Sequence, residues 1–121
     1  MSKKTLVLGA SEKPDRYANI ATRRLQQHDH EVVAVGFKPG EINGTPIVTE
    51  FPVNDDSIDT VTLYLSPKNQ KQYYDQLLAL KPRRVIFNPG TENSELQQLL
   101  QQNGIETEIA CTLVLLSTGG Y

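Results

Sequence analysis

The sequence predicts an α/β domain: a doubly wound, mainly parallel sheet of five to six strands with helices on both faces. Three observations lead there. Short aliphatic and β-branched runs alternate with segments whose apolar residues recur every three to four positions. Glycine, proline and asparagine punctuate the alternation, as turns require. Strands separated by helices pair in parallel through crossovers that cover the sheet. The length of 121 residues suits one domain, residues 1–121.

Each element has a local cause. Thr5-Leu6-Val7-Leu8 is an apolar run ended by Gly9 and reads as a buried strand. Asp15 to Gln27 carries Tyr17, Ile20, Ala21 and Leu25 at helical spacing, which predicts a helix with those side chains inward. Val32-Val33-Ala34-Val35 is the second strand. Residues 36–56, with several glycines and prolines, predict little beyond a short edge strand at Ile47-Val48. Thr60 to Leu65 is the next strong strand. Ser66-Pro67 then announces a helix, with Ser66 as cap and Pro67 at the first helical position. That helix turns Tyr73, Leu77 and Leu80 inward and stops at Lys81-Pro82. Val85-Ile86-Phe87 is a strand, and Thr91 or Asn93 caps a helix from Ser94 to Asn103 that Gly104 closes in a left-handed conformation. Ile105 to Ile109 is the last strand, and Cys111 to Leu116 is an apolar tail.

Composition excludes several functions. Leu, Ile, Val and Phe make up more than a quarter of the chain, enough for a core. A net charge of −2 argues against general nucleic-acid binding, which needs many cations to displace counterions. One cysteine, Cys111, allows no internal disulfide and reads as a buried, inert thiol. His28-Asp29-His30 offers too few ligands for a zinc site and reads as a polar helix end. Arg23-Arg24 and Arg83-Arg84 read as solvated faces. No apolar run approaches the roughly 20 residues of a membrane span, and no signal-peptide core follows Met1, so a cytoplasmic protein is expected.

In doubly wound sheets a ligand sits beyond the carboxyl ends of the strands, where strand order reverses. That places candidate residues in Gly9 to Tyr17, Gly36 to Pro39, Leu65 to Pro67 and Asn88 to Asn93. Gly9 permits a tight turn, and the following helix start favours phosphate. The G-x-G-x-x-G fingerprint is absent, since Ser11 and Pro14 occupy its later positions. Lys13 and Arg16 add cationic charge. NAD enzymes carry an acid at the end of the second strand, whereas Lys38 stands here. A lysine there suits a ribose phosphate, hence NADP or coenzyme A.

Taken together, Leu8-Gly9-Ala10-Ser11 with Lys13-Pro14 and Arg16, Val33-Ala34-Val35 before Lys38-Pro39-Gly40, and Ile42-Asn43-Gly44 carry a family resemblance. Ile58-Asp59-Thr60-Val61, Asn88-Pro89-Gly90, Asn103-Gly104-Ile105 and Cys111 continue it. The chain resembles the small stand-alone coenzyme A-binding domain proteins of bacteria, which are similar to the Rossmann-like N-terminal domain of the succinyl-CoA synthetase α subunit. The resemblance implies binding of coenzyme A or an acyl-CoA without catalysis. It implies that Gly9, Ala10, Ser11 and Arg16 hold the pyrophosphate, helped by Lys13 and bordered by Tyr17. Lys38 and Pro39 would meet the ribose phosphate or adenine side. Leu65, Ser66 and Pro67 would border the nucleotide, and Asn88, Pro89 and Gly90 the pantetheine path. The family often has glutamine where Asn88 stands and glycine where Asp29 stands. Two other readings compete: an NADP-dependent reductase, and a ligand-free domain that dimerises through Leu113-Val114-Leu115-Leu116.

Overall fold

The computed structural model describes residues 2–121. Its strands are β1 (Thr5–Leu8), β2 (Val32–Val35), β3 (Gly40–Ile42), β4 (Thr45–Val48), β5 (Thr60–Leu63), β6 (Arg84–Phe87) and β7 (Glu106–Ile109). Its helices are α1 (Tyr17–Gln27), α2 (Pro67–Gln70), α3 (Tyr74–Leu80), α4 (Ser94–Gln102) and α5 (Thr112–Thr118), with a 3₁₀ turn at Lys71–Tyr73 joining α2 to α3. The strands form one sheet in the order β3-β4-β2-β1-β5-β6-β7. Every pairing is parallel except β3 with β4.

The sheet therefore has seven strands, against the five to six expected. The additional one is β3, the first arm of a hairpin turned at Asn43-Gly44, both with positive φ. Asn-Gly is the usual pair for a two-residue hairpin turn. Gln26 of α1 secures it, donating to the Ile42 carbonyl at 3.2 Å and the Thr45 hydroxyl at 2.7 Å.

β1, β5 and β6 are buried along their whole length, which is why they read as continuous apolar runs. On one face Leu6, Leu8, Val61, Leu63, Val85 and Phe87 pack under Leu77 of α3 and Leu96 and Leu100 of α4. On the other, Val7 and Ala34 meet Ala18 and Leu25 of α1 and Leu116 of α5. Each fully buried Leu or Phe contributes about 1.5–3 kcal/mol before the entropy of ordering is counted.

Several local expectations need correction. The inner face of α1 is Ala18, Ala21, Thr22 and Leu25; Tyr17 opens the helix and is 70% exposed. Ser66 sits at the cap of α2 but makes no side-chain capping bond. Asn93, not Thr91, caps α4, accepting from the Leu96 amide at 3.2 Å. Cys111 is only half-buried and sits at the cap position of α5. The apolar tail forms α5, which turns Leu116 into the core and leaves Val114 exposed.

Arg84 is buried rather than solvated. It pairs with Glu108 at 3.2 Å and lies over the Tyr121 ring, 4.6 Å from its centroid. Tyr121 packs beneath the amino ends of the strands: its phenol meets the Thr5 hydroxyl, and its backbone carbonyl accepts from Lys3 and Arg84. Arg83 makes a two-point pair with Asp59, at 2.8 and 3.0 Å.

Candidate functional site

The chain leaves β1 toward β2 on one side of the sheet and later returns to add β5 on the other. The loops after β1 and β5 therefore part, and a crevice opens between them at the carboxyl ends of the strands. It is a cleft of about 760 Å³, within the range of small-molecule sites. Gly9, Ala10, Ser11, Lys13, Arg16 and Tyr17 line it from the first loop. Lys38 and Pro39 line it from the second, Leu65 and Ser66 from the third, and Pro89 and Gly90 from the fourth. Pro67 and Asn88 do not. Pro67 is drawn away as the first residue of α2. Glu12, Ala18, Phe37, Tyr64 and Thr91 complete the lining.

Close backbone crossings shape the cleft floor. A Cβ on Gly36 would lie 2.4 Å from the Ala10 carbonyl oxygen. A Cβ on Gly9 would lie 2.8 Å from the Tyr64 carbonyl oxygen, and Gly9 also has φ +104°. The Gly9 and Ala10 amides both donate to the Val35 carbonyl, at 2.8 and 2.9 Å. These two residues thus shape the floor but do not offer their amides to a phosphate, contrary to the expectation from sequence.

The available donors come slightly later. The Ser11 and Glu12 amides, and those of Tyr17 and Ala18 in the first turn of α1, have no protein acceptor among the described residues. Arg16 occupies the cap position of α1 and makes no side-chain capping bond, and the first turn holds no acid. A Ser or Asp there would satisfy the Ala18 amide internally; arginine leaves it open and adds a positive charge. Asn19 holds the loop by donating to the Ser11 carbonyl at 2.9 Å, and Arg23 donates to the Pro14 carbonyl at 3.0 Å.

Lys13, Arg16 and Lys38 are exposed, and none forms an ion pair among the described residues. Glu12 is turned aside: its carboxylate accepts from the Glu41 amide at 3.0 Å and crosses over Gly40.

The third and fourth loops are clipped together by buried Gln70. Its Nε2 donates to the Leu65 carbonyl at 2.9 Å and the Thr91 carbonyl at 2.8 Å, and its Oε1 accepts from Asn93 at 2.9 Å. Asn88 also faces inward. It donates to the Thr62 hydroxyl at 2.6 Å and the Leu63 carbonyl at 2.8 Å, and accepts from the Thr112 amide at 2.8 Å. With both ends of its amide engaged, Asn88 ties β5, β6 and α5 together instead of facing a ligand.

Next to this network the Tyr64 hydroxyl is buried and has no partner among the described residues, while burial pushes its pKa well up. Unpaired main-chain donors, free cations and exposed aromatic rings in one cleft fit a ligand with phosphates and a planar ring. Among the described residues, no helix is long and apolar enough to cross a membrane.

A three-layer Rossmann-like domain with a cleft at its switch point has the architecture of the nucleotide-binding α/β folds. The family can be stated more closely. The model of the CoA binding domain family matches residues 3–117, and the chain belongs to that family. It is 24% identical over 103 residues to the uncharacterized protein YneT of Bacillus subtilis, covering 85% of this chain and 76% of that one. A crystal structure of an uncharacterized protein superposes with a TM-score of 0.96 at 54% identity, covering 100% of this chain and 99% of that one. A hypothetical protein from Pyrococcus horikoshii has a TM-score of 0.86 at 28% identity, covering 97% and 83%.

Proposed function

We propose that this protein binds coenzyme A, or an acyl-CoA, in the switch-point cleft and does no chemistry on it. The carrying observation is the start of α1, where arginine stands at the cap and the unpaired Tyr17 and Ala18 amides belong to residues that line the cleft. In this reading those amides and the Arg16 guanidinium hold the pyrophosphate, Lys13 adds charge, and Lys38 meets the ribose phosphate. Leu65 and Ser66 border the nucleotide, and Pro89 and Gly90 border the pantetheine arm. Two placements support binding over catalysis. His30 is engaged with Lys3 and Tyr121 at the amino ends of the strands, and Cys111 lies outside the cleft lining.

The test is a thermal-shift titration with coenzyme A, 3′-dephospho-coenzyme A, NADP⁺ and NAD⁺. At about 100 times its Kd a ligand adds roughly 2.7 kcal/mol, a rise on the order of 10 °C for a domain of this size. Coenzyme A is expected to give that shift, and removal of the 3′-phosphate to reduce it. Arg16→Ala is expected to weaken binding. A shift with NADP⁺ alone would replace this reading with the reductase. No shift with any of the four would refute it.

A further inference from the structure

We propose that Glu12 is a positioning residue: it clasps the first loop to the start of β3 and so fixes where the loop carrying Lys38 stands. This rests on the coenzyme A reading and concerns how the cleft is held, not a further contact with the ligand. Glu12 is the one acid among the described residues that line the cleft. A carboxylate there repels a ligand with phosphates, so its presence needs a cause within the protein. That cause lies across the cleft mouth. The Glu12 carboxylate accepts from the Glu41 amide at 3.0 Å, joining two loops 29 residues apart in the chain.

Gly36 and Gly40 bracket the Lys38 loop, and neither has positive φ. Both are glycine for room, not for a turn. A Cβ on Gly36 would strike the Ala10 carbonyl; a Cβ on Gly40 would lie 2.8 Å from Glu12 Oε1 and nearer still to its Cγ and Cδ. The first loop thus pins the Lys38 loop at both ends, by backbone at Gly36 and by the Glu12 side chain at Gly40. Between the pins, Phe37 and Lys38 donate no main-chain hydrogen bond among the described residues, and Pro39 has no amide to donate. The two ends therefore set the position of Lys38. With the clasp gone, the ligand has to order that loop itself, at a cost in affinity. The cost falls on the phosphate that Lys38 meets, which in the coenzyme A reading is the 3′-phosphate.

Calorimetric titration of the wild type, Glu12→Ala, Glu12→Gln and Gly40→Ala with coenzyme A and 3′-dephospho-coenzyme A reads the ratio of the two affinities. Glu12→Ala is expected to lower the preference for coenzyme A by about 2- to 10-fold, although it removes a repelling charge. Gly40→Ala keeps that charge and displaces the Glu12 side chain, whose atoms are the three nearest to the added methyl, so the preference should fall alike. Glu12→Gln keeps an acceptor for the Glu41 amide without the charge, and the preference should stay at or above that of the wild type. A preference that is level or raised in Glu12→Ala is the result of charge alone and would overturn the clasp. So would an unchanged preference in Gly40→Ala, or a loss in Glu12→Gln as large as in Glu12→Ala. A wild type that gains nothing from the 3′-phosphate would refute the Lys38 contact and the clasp's role with it. A wild type that binds neither ligand would refute the coenzyme A reading itself.

Discussion

Gly36 and Asn88 show how single residues hold the cleft without touching a ligand. A methyl group on Gly36 would meet the Ala10 carbonyl oxygen at 2.4 Å and the Ile47 side chain at 3.1 Å. Backbone has to give way, so Gly36→Ala is expected to cost about 1–3 kcal/mol, or roughly 4–12 °C in Tm. Because Ala10 lines the cleft, coenzyme A affinity should fall as well. A variant as stable as the wild type would show that the first loop moves aside freely. Asn88→Ala acts differently: it leaves the buried Thr112 amide without its acceptor. The expected loss is again about 1–3 kcal/mol, measured by urea unfolding. Here coenzyme A affinity should hold, since the side chain faces α5 and not the cleft; a large selective loss of binding would return Asn88 to the site.

At the level of elements, the third and fourth loops are kept in register by Gln70, which reaches both from α2. Gln70→Ala should loosen residues 88–93. Hydrogen exchange at the Thr91 amide, bonded to Asn88 at 2.9 Å, is expected to speed up while α1 stays protected. Equal exchange in both proteins would show that the fourth loop holds itself. Elements whose causes are local were legible in the sequence: β1, β5 and β6 from continuous apolar runs, the start of α4 from Asn93, its end from Gly104. Features whose partners are distant were not. Arg84 is buried because Tyr121, 37 residues away, packs over it. The Gly9 and Ala10 amides are occupied because the sheet brings Val35 beside them. Phe37 lies within the candidate segment Gly36 to Pro39 without being singled out, and Tyr64 lies outside every candidate segment; β3 could have been found from Asn43-Gly44 alone.

For the molecule as a whole, the amino ends of the strands govern the response to acid. His30 accepts the Lys3 amide proton on Nδ1 at 2.9 Å, and its ring lies 4.9 Å from that of Tyr121. Burial holds its pKa below the ordinary 6.5, and the charges of His28, Lys3 and Arg84 act in the same direction. The folded protein therefore binds a proton there less readily than the unfolded chain. Its contribution is fully present above about pH 6.5 and is lost as pH falls through the lower folded value. Two carboxylates act in a separate window. Hydrogen bonds from Lys4 to Asp55 and from Arg83 to Asp59 hold both below the ordinary 3.8, so their contribution is present above that value and lost below it. Acid should thus destabilise in two stages, the first belonging to His30. Urea midpoints between about pH 7.5 and about pH 5 measure that stage without reaching the carboxylates. His30→Asn keeps an acceptor for the Lys3 amide but cannot titrate, so its midpoint is expected to stay level over this range while the wild type declines. Parallel declines would show that His30 does not carry the first stage.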